Sequence, residues 1–387
     1  EVQKLNLKKT RVAAFGSTRR AHTKVSQDVN VKALVKAGTD VITIFGKSWN
    51  LHVTDVFKTS LKENLAMIYD TVQYLKSKKK EVIFDAEHFF DGYTADPDYA
   101  LQSLQAAVDG GADLICLCDT NGGMVPSRVW QVIHELKQVI AAPLGIHCHN
   151  DSDLAVANSV VAVEEGCEHV QGTINGIGER CGNTNLISVI PTLQLKLGYK
   201  VFTSKTLQTL TEMSRYVSEI CNMPIDDTEP FVGKSAFAHK AGVHVNAMMK
   251  NPQTYEHITP ELVGNKTRFL VSELSGQSNI LMKVKKIDSS LDKKTPETKK
   301  ILTTIQDLEN KGYQFEAAEA SLEILMKKAL GKYKSFFELC GFRTSVEKRE
   351  DGKVISVATV KVKVKDKTEH TAGEGDGPVD ALANAFH

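Results

Sequence analysis

The sequence contains no apolar run of the roughly 20 residues that a membrane-spanning helix requires. It also lacks a GxGxxG fingerprint, a P-loop and any CxxC pair. Its seven cysteines are odd in number and scattered, which is typical of a reduced cytoplasmic protein rather than of a disulfide framework. With 48 basic and 47 acidic residues the net charge is only +1, so no extended field is available to attract nucleic acid or a membrane surface.

The first half of the sequence contains a repeat: a short apolar run, a polar or glycine-containing turn, and then an amphipathic helix. The runs start roughly 25 to 40 residues apart, which is the length of one βα unit. Strands that alternate with helices predict a parallel sheet with helical crossovers. The runs are residues 11–15, 41–45, 81–84, 114–118, 144–146 and 169–174.

A doubly wound sheet and a (β/α)8 TIM barrel both fit this repeat. Polar clusters favour the barrel, because one follows every run at its C-terminal end. In a barrel all strand ends surround one mouth, whereas an open sheet concentrates reactive groups at one switch point. A barrel needs about eight units, so the six runs are expected to be units 3–8, with two units missing before Glu1. The clusters are residues 16–20, 46–49, 85–88, 119–121, 147–150 and 175–180.

Beyond the barrel, the change of pattern near Lys200 predicts three regions. Residues 1–200 form the barrel, residues 201–335 form helical linker or lid subdomains, and residues 336–387 begin a small α+β domain. In this last region the hydrophobic period becomes two. The chain opens in a charged stretch and ends inside a predicted helix, so we expect a fragment cut at both ends.

The sharpest chemical signal is the pair His147 and His149. At a spacing of two on a strand both imidazoles point to the same side, here the barrel mouth, while Cys148 points outward. This is the geometry of a metal chelate. The alternative is one structural histidine and a coincidence.

The next strand is followed by the segment NGIGERCGN, residues 175–183. Its glycines let the backbone approach a ligand closely, and Asn183 offers a side-chain oxygen. An ordinary tight loop with a structural Glu179–Arg180 pair is the alternative.

Five further residues are candidates for chemistry. Glu87 lies at a strand end and could act as a base or orienting group, or could form a salt bridge at the rim. Thr120 and Asp119 could hold the polar groups of a small anion, or cap the following helix. His244 and Tyr255 lie on a segment that could complete a site on closure, although a lone histidine is more often hydrogen-bonded in a core.

Together these motifs resemble the family of 2-isopropylmalate, homocitrate and citramalate synthases. The resemblance covers nearly the whole chain and implies a TIM-barrel acyltransferase, homodimeric when full length, that joins acetyl-CoA to a 2-oxo acid. The end of the chain, HTAGEGDGPVDALANAF, is similar to the opening of the family's C-terminal regulatory domain. The other matching segments are HCHNDSDLAVANS (147–159), NGIGERCGNTNL (175–186), CDTNGG (118–123) and FAHKAGVH (237–244).

The resemblance implies a divalent metal (Mg, Mn or Zn) held by His147, His149 and Asn183 and by an aspartate of the first barrel strand. That strand also carries the family's catalytic arginine and is expected to precede Glu1. If the chain itself supplied both groups, the first candidates would be Arg19, Arg20 and Asp85.

The same matching assigns the remaining site residues. Glu87 and Thr120 belong to the substrate site, His52 lines the oxo-acid pocket, and His244 and Tyr255 match residues that activate acetyl-CoA. These roles are implied by the resemblance alone.

Two segments indicate the acceptor. FGKSWNLHVTDVF (45–57) and FDAEHFFDGY (84–93) are more similar to the citramalate synthases of the family than to its isopropylmalate synthases. We therefore expect pyruvate as acceptor and a place in isoleucine biosynthesis. 2-Oxoisovalerate, as in leucine biosynthesis, is the alternative. A metal-dependent acyl-CoA lyase on the same barrel and an inactive fragment are more distant alternatives.

Overall fold

The computed structural model describes residues 2, 5, 7–239, 242–269, 295–313, 315 and 318–386. The chain divides into two compact units, residues 1–238 with 250–268 and residues 239–249 with 269–387. Residues 240–241 of the FAHKAGVH segment, and residues 270–294 of the predicted helical region, lie outside the described residues.

The first unit contains a parallel sheet that has six strands within the described part of the chain. Their order in space is their order along the chain, and each pairs in parallel with the next. A doubly wound sheet reverses its strand order at a switch point, so this sequential order confirms the predicted barrel topology. The strands are β1 (Ala13–Ser17), β2 (Val41–Lys47), β3 (Glu81–Glu87), β4 (Leu114–Asp119), β5 (Leu144–Cys148) and β6 (His169–Gln171).

Helices connect the strands, and the sequence marks their ends. Asp96 caps the helix that starts at Pro97 by accepting a hydrogen bond from the Tyr99 amide, and Gly111 ends it in the left-handed conformation. The helices up to the fifth strand are α1 (Val29–Lys36), α2 (Leu61–Ser77), α3 (Phe89–Ala95), α4 (Pro97–Gly110) and α5 (Pro126–Leu136). The later ones are α6 (Ala155–Glu164), α7 (Leu186–Pro191), α8 (Ser204–Leu207) and α9 (Leu210–Cys221).

A short break separates α8 from α9. It lies at Thr209, which has φ −89° and ψ 2°. Leu207 and Leu210 on either side of the break are both buried in one apolar cluster.

The main core lies between the sheet and its helices. Strand residues such as Val82, Phe84 and Ala86 are fully buried and pack with Ile68 and Leu104 of the helices. Cys116 and Cys118 are buried within β4. Helices cover the apolar face of the sheet, and Lys47, Glu87 and Asp119 are the last residues of their strands.

The second unit contains helices and an antiparallel sheet. The elements here are α11 (Pro296–Asn310), α12 (Glu319–Ala329), β9 (Glu338–Lys348), β10 (Val354–Val364), β11 (Lys367–Gly375) and α13 (Pro378–Phe386). The sheet order is β11-β10-β9, and Ala358, Val360 and Val362 are buried at alternate positions of β10, as the period of two predicted. The remaining elements are β7 (Ala238–His239), α10 (Gly242–Lys250) and β8 (Arg268–Phe269). None of the described helices is both long and apolar enough to cross a membrane.

Candidate active site

His147 and His149 converge at the end of β5. Their Nε2 atoms lie 3.4 Å apart, while Cys148 between them is buried in the core on the other face of the strand. Two nitrogens bound at about 2.1 Å to one tetrahedral ion would have nearly this separation. The alternation of the strand therefore produces the convergence that the sequence predicted.

Both imidazoles favour the neutral form. Burial lowers the pKa of His147, and the hydrogen bond to Gln171 only partly opposes it. Burial, followed by the neighbouring charge of His147, lowers the pKa of His149. A neutral imidazole keeps the lone pair that a metal ligand needs.

Asn183 is brought beside this pair by the loop that follows β6. His149 and Asn183 form an isolated antiparallel bridge, and the amides of Asn150 and Thr184 donate to the carbonyls of Gly182 and Cys148 at 2.9 Å each. The Oδ1 atom of Asn183 is buried without a hydrogen-bond partner. A buried carbonyl oxygen without a partner is costly, and a bound cation would satisfy it.

These three side chains fit the implied metal. They supply two neutral nitrogens and one oxygen, a mixed set that Mg, Mn and Zn can each accept. No group of three or more His, Cys, Asp or Glu side chains that could hold a metal lies among the described residues. The ligand role of His147, His149 and Asn183 stays a prediction.

Two residues that the sequence did not single out for this role support His147. Its Nδ1 lies 2.9 Å from Oε1 of Gln171, and Nε2 of Gln171 donates to Oδ1 of Asp85 at 2.7 Å. Burial raises the pKa of Asp85 to about 7. Asp85 thus lies inside the barrel against Gln171.

Arg19 forms ion pairs with two carboxylates of α2. Its buried guanidinium lies 2.7 Å from Oε1 of Glu63 and 2.8 Å from Oδ2 of Asp70. These ion pairs connect the loop after β1 to α2. The guanidinium of Arg19 therefore has a structural role there.

Glu87 ends β3 and forms an ion pair with Lys47, which ends β2. The exposed fractions of the two side chains are only 24% and 11%, so the pair is more buried than the rim salt bridge that the sequence allowed. The ammonium group of Lys47 also lies 5.8 Å from the ring centre of Phe45 and 5.6 Å from that of Phe57. A carboxylate with a fixed counter-charge therefore lies beside the strand ends.

Thr120 and Asp119, at the end of β4, have separate tasks. The hydroxyl of Thr120 accepts a hydrogen bond from the His88 amide at 2.8 Å, which joins the ends of β3 and β4. The carboxylate of Asp119 accepts from the amides of Gly123 and Met124. Asp119 therefore orders the turn before α5. This role is similar to the alternative in which Asp119 caps the following helix.

His52 lies in an aromatic cluster. It starts a short π-helical turn, and its ring centre lies 5.3 Å from Trp49 and 4.1 Å from His88. Burial, then the nearby charges of His88 and Lys47, lower the pKa of His52. The charges of both Lys47 and Glu87 act on His52, so the cluster lies near that ion pair.

Tyr255 and His244 lie beyond the barrel strands. Tyr255 follows a 3-10 turn of the first unit and is 45% exposed. His244 is an exposed residue of α10 and belongs to the second unit. Their roles in acetyl-CoA activation stay predictions.

Arg180 is a further residue of the loop after β6. Its guanidinium donates to both carboxylate oxygens of Asp151 at 2.7 and 2.8 Å and to the carbonyl of Thr120 at 2.8 Å. Glu179, the partner that the sequence allowed, is farther away at 3.7 Å. Arg180 therefore ties this loop to the ends of β4 and β5.

An open cavity of about 510 Å³ lies on one side of the Asn183 loop. Its lining is mostly polar, and Nδ2 of Asn185 donates to Oε1 of Glu229 at 2.6 Å within it. The lining includes Asn150, Asp153, Asn175, Cys181, Asn183, Asn185, Ser188, Glu229 and Phe231.

Three family models match consecutive parts of the chain. Residues 7–217 match HMGL-like, and residues 231–313 match Homocitrate synthase post-HMGL domain-like. Residues 316–387 match LeuA allosteric (dimerisation) domain.

Curated relatives match over the whole chain. An (R)-citramalate synthase of Aquifex aeolicus is 54% identical over all of this chain and 74% of its own length. One of Geobacter sulfurreducens is also 54% identical, over all of this chain and 73% of its length. A 2-isopropylmalate synthase of Methanocaldococcus jannaschii is 34% identical over 94% of this chain and 68% of its length.

Proposed function

Because this chain belongs to the (R)-citramalate synthase family, we propose that it condenses acetyl-CoA with pyruvate to give (R)-citramalate and coenzyme A. Pyruvate is the acceptor expected from the segments FGKSWNLHVTDVF (45–57) and FDAEHFFDGY (84–93). The identity to the citramalate synthases of Aquifex aeolicus and Geobacter sulfurreducens, 54% for each, exceeds the 34% identity to the isopropylmalate synthase of Methanocaldococcus jannaschii by 20 percentage points. That difference favours pyruvate over 2-oxoisovalerate.

The observation that carries this proposal is the convergence of His147 and His149 at the strand ends, together with the backbone bridge of His149 to Asn183, whose buried Oδ1 has no hydrogen-bond partner. These three residues would hold the divalent metal that the family implies. When bound there, the metal would act as a Lewis acid that polarises the carbonyl of the 2-oxo acid. The His149–Asn183 bridge and the Arg180–Asp151 pair keep the ligand loop in place.

Glu87 is the proposed base. Acetyl-CoA must lose a methyl proton before it can attack, and a positioned carboxylate can take that proton. The counter-charge of Lys47 fixes the position of the carboxylate. Thr120 and His52 would border the bound oxo acid, and His244 and Tyr255 would contribute to the acetyl-CoA site.

The atoms of the reaction balance as follows. A methyl proton of acetyl-CoA passes to Glu87, the methyl carbon bonds to C2 of pyruvate, and the C2 oxygen takes up a proton. Water then cleaves the thioester, which releases coenzyme A and leaves a free carboxylate. Hydrolysis of the thioester makes the overall reaction irreversible.

We also propose that the protein is a homodimer. The support is the match of residues 316–387 to the LeuA dimerisation domain. The β9–β11 sheet and α13 belong to this region.

The test of the proposed function is thiol release from acetyl-CoA by the full-length protein in the presence of single 2-oxo acids, with identification of the product. We expect kcat/KM to be higher for pyruvate than for 2-oxoisovalerate, with (R)-citramalate as product. A preference for 2-oxoisovalerate would overturn the acceptor assignment, and the absence of any oxo-acid-dependent thiol release would overturn the synthase assignment.

A further inference from the structure

A hydrogen-bonded chain connects three strands beneath the strand ends. Asp85 lies on β3, Gln171 on β6 and His147 on β5. Gln171 donates from Nε2 to Asp85 at 2.7 Å, and its Oε1 lies 2.9 Å from Nδ1 of His147. Nε2 of His147 then faces Nε2 of His149 at 3.4 Å.

The geometry and the chemistry of these groups give one direction for the hydrogen bonds when Asp85 is ionised. An ionised carboxylate only accepts, so Gln171 then presents its NH2 group to Asp85, which is the 2.7 Å Nε2–Oδ1 contact in the structure. The carbonyl oxygen of Gln171 then faces His147 and also only accepts, so the hydrogen of the neutral imidazole must lie on Nδ1. The lone pair of His147 is thereby left on Nε2, the atom that faces His149.

The burial of Asp85 inside the barrel is unfavourable for a carboxyl group. Asp85 is only 4% exposed, and its hydrogen-bond partners are the Gln171 amide and the thiol of Cys116. Burial of a carboxyl group in such surroundings costs free energy that an apolar residue would not. A role in fixing another group accounts for its presence.

We propose that Asp85 and Gln171 are positioning residues that hold His147 in the tautomer with hydrogen on Nδ1 and aim its Nε2 at the metal. The proposal rests on the proposed function in one respect, the role of His147 as a ligand. Hydrogen-bond partners of metal-ligating histidines fix the tautomer and orientation of the ring, and their loss typically weakens metal affinity by about 10- to 100-fold. Asp85 acts indirectly, because it orients the Gln171 amide, which in turn contacts the imidazole of His147.

The first measurement is the tautomer of His147 in the metal-free protein. Selective ¹⁵N labelling of histidine reports which ring nitrogen carries hydrogen, and the His147 signals are assigned by their loss in His147→Gln. We expect Nδ1–H to dominate in the unchanged protein. In the nearly isosteric Gln171→Met the Nδ1–H population should fall several-fold, and Asp85→Asn should have an intermediate effect, because an asparagine can pair with either end of the glutamine amide.

The second measurement is the affinity for Mn²⁺, determined from the electron paramagnetic resonance signal of the free ion. We expect Gln171→Met to weaken binding by about 10- to 100-fold. The double variant Asp85→Asn/Gln171→Met should bind no more weakly than Gln171→Met alone, because Asp85 acts only through Gln171. The matched control is Asp28→Asn, which alters another buried aspartate, the N-cap of α1, and should change neither the tautomer nor the affinity.

Retention of Nδ1–H in Gln171→Met, or multiplication of the two affinity losses in the double variant, would overturn the proposal. If Gln171→Met does not fold, Asp85→Asn alone must still lower the Nδ1–H population. An unchanged Nδ1–H population in Asp85→Asn would then overturn the proposal. Failure of His147 as a ligand is separately visible, as unchanged Mn²⁺ affinity in His147→Ala.

Discussion

Gly178 lies directly against the side-chain amide of Asn183. A Cβ atom at this glycine would lie 2.8 Å from Cγ and 2.9 Å from Oδ1 of Asn183. Real Cβ atoms do not approach heavy atoms so closely, so even a methyl group would have to displace the amide or the loop. The glycine at position 178 therefore leaves the space that the side-chain amide of Asn183 occupies.

Gly178→Ala should consequently weaken metal binding by roughly tenfold through displacement of the proposed oxygen ligand. Titration calorimetry with Mn²⁺ measures the effect. Gly341→Ala is the matched control, because a Cβ there meets no atom within 4 Å and its affinity should be unchanged. Equal affinities of the two variants would contradict the placement of Asn183 as a ligand.

His147→Ala should abolish condensation and leave the protein with less bound metal after dialysis, because it removes one of two converging nitrogens. Elemental analysis of the dialysed protein measures the metal content. His134→Ala should leave activity and metal content unchanged, since that exposed histidine of α5 pairs with Glu165. Unchanged metal content in His147→Ala would refute the ligand assignment.

Glu87→Gln should lower kcat by about 10²- to 10⁴-fold, the usual contribution of a positioned base. The amide is isosteric with the carboxyl group, so KM for pyruvate should change much less than kcat. Steady-state thiol release measures both constants. Glu81→Gln, at the opposite end of the same strand, removes the exposed pair with Arg11 and should leave both constants unchanged. A kcat for Glu87→Gln within tenfold of the unchanged protein would exclude Glu87 as the base.

Asp85→Asn should change how stability depends on pH. Burial raises the pKa of Asp85 to about 7 in the folded protein, while the unfolded chain has an ordinary value near 3.9. Between these values the folded state binds the extra proton, so the contribution of Asp85 is fully present below about pH 4 and is lost as pH rises to about 7. The free energy of unfolding of the unchanged protein, relative to that of Asp85→Asn, should fall over this range by at most about 4 kcal/mol.

Urea unfolding at a series of pH values measures this difference. Asp28→Asn provides the opposite case, because hydrogen bonds from backbone amides outweigh burial and lower the pKa of Asp28. Its contribution is present above the ordinary aspartate pKa and is lost as pH falls. Parallel pH profiles of the two variants would contradict the raised pKa of Asp85.

Local sequence patterns determined much of this protein. Period-two alternation placed His147 and His149 on one face and Cys148 on the other. Strands alternating with helices indicated a parallel sheet, and the polar cluster after every strand favoured a barrel. Asp96, Pro97 and Gly111 marked the limits of one helix, because capping depends only on neighbouring backbone groups. Such features need no knowledge of distant parts of the chain.

Tertiary structure decided what each polar group contacts. Asp85 and Gln171 are separated by 86 positions, and Arg180 and Asp151 by 29. The ion pair of Lys47 with Glu87 joins the ends of different strands. No period or spacing in the sequence reports these pairs, because they exist only once the parallel strands lie side by side in register. The candidate site residues could therefore be found in the sequence. Their partners, burial and pKa values arose from strand order and packing, because hydrogen bonding and desolvation depend on distances through space.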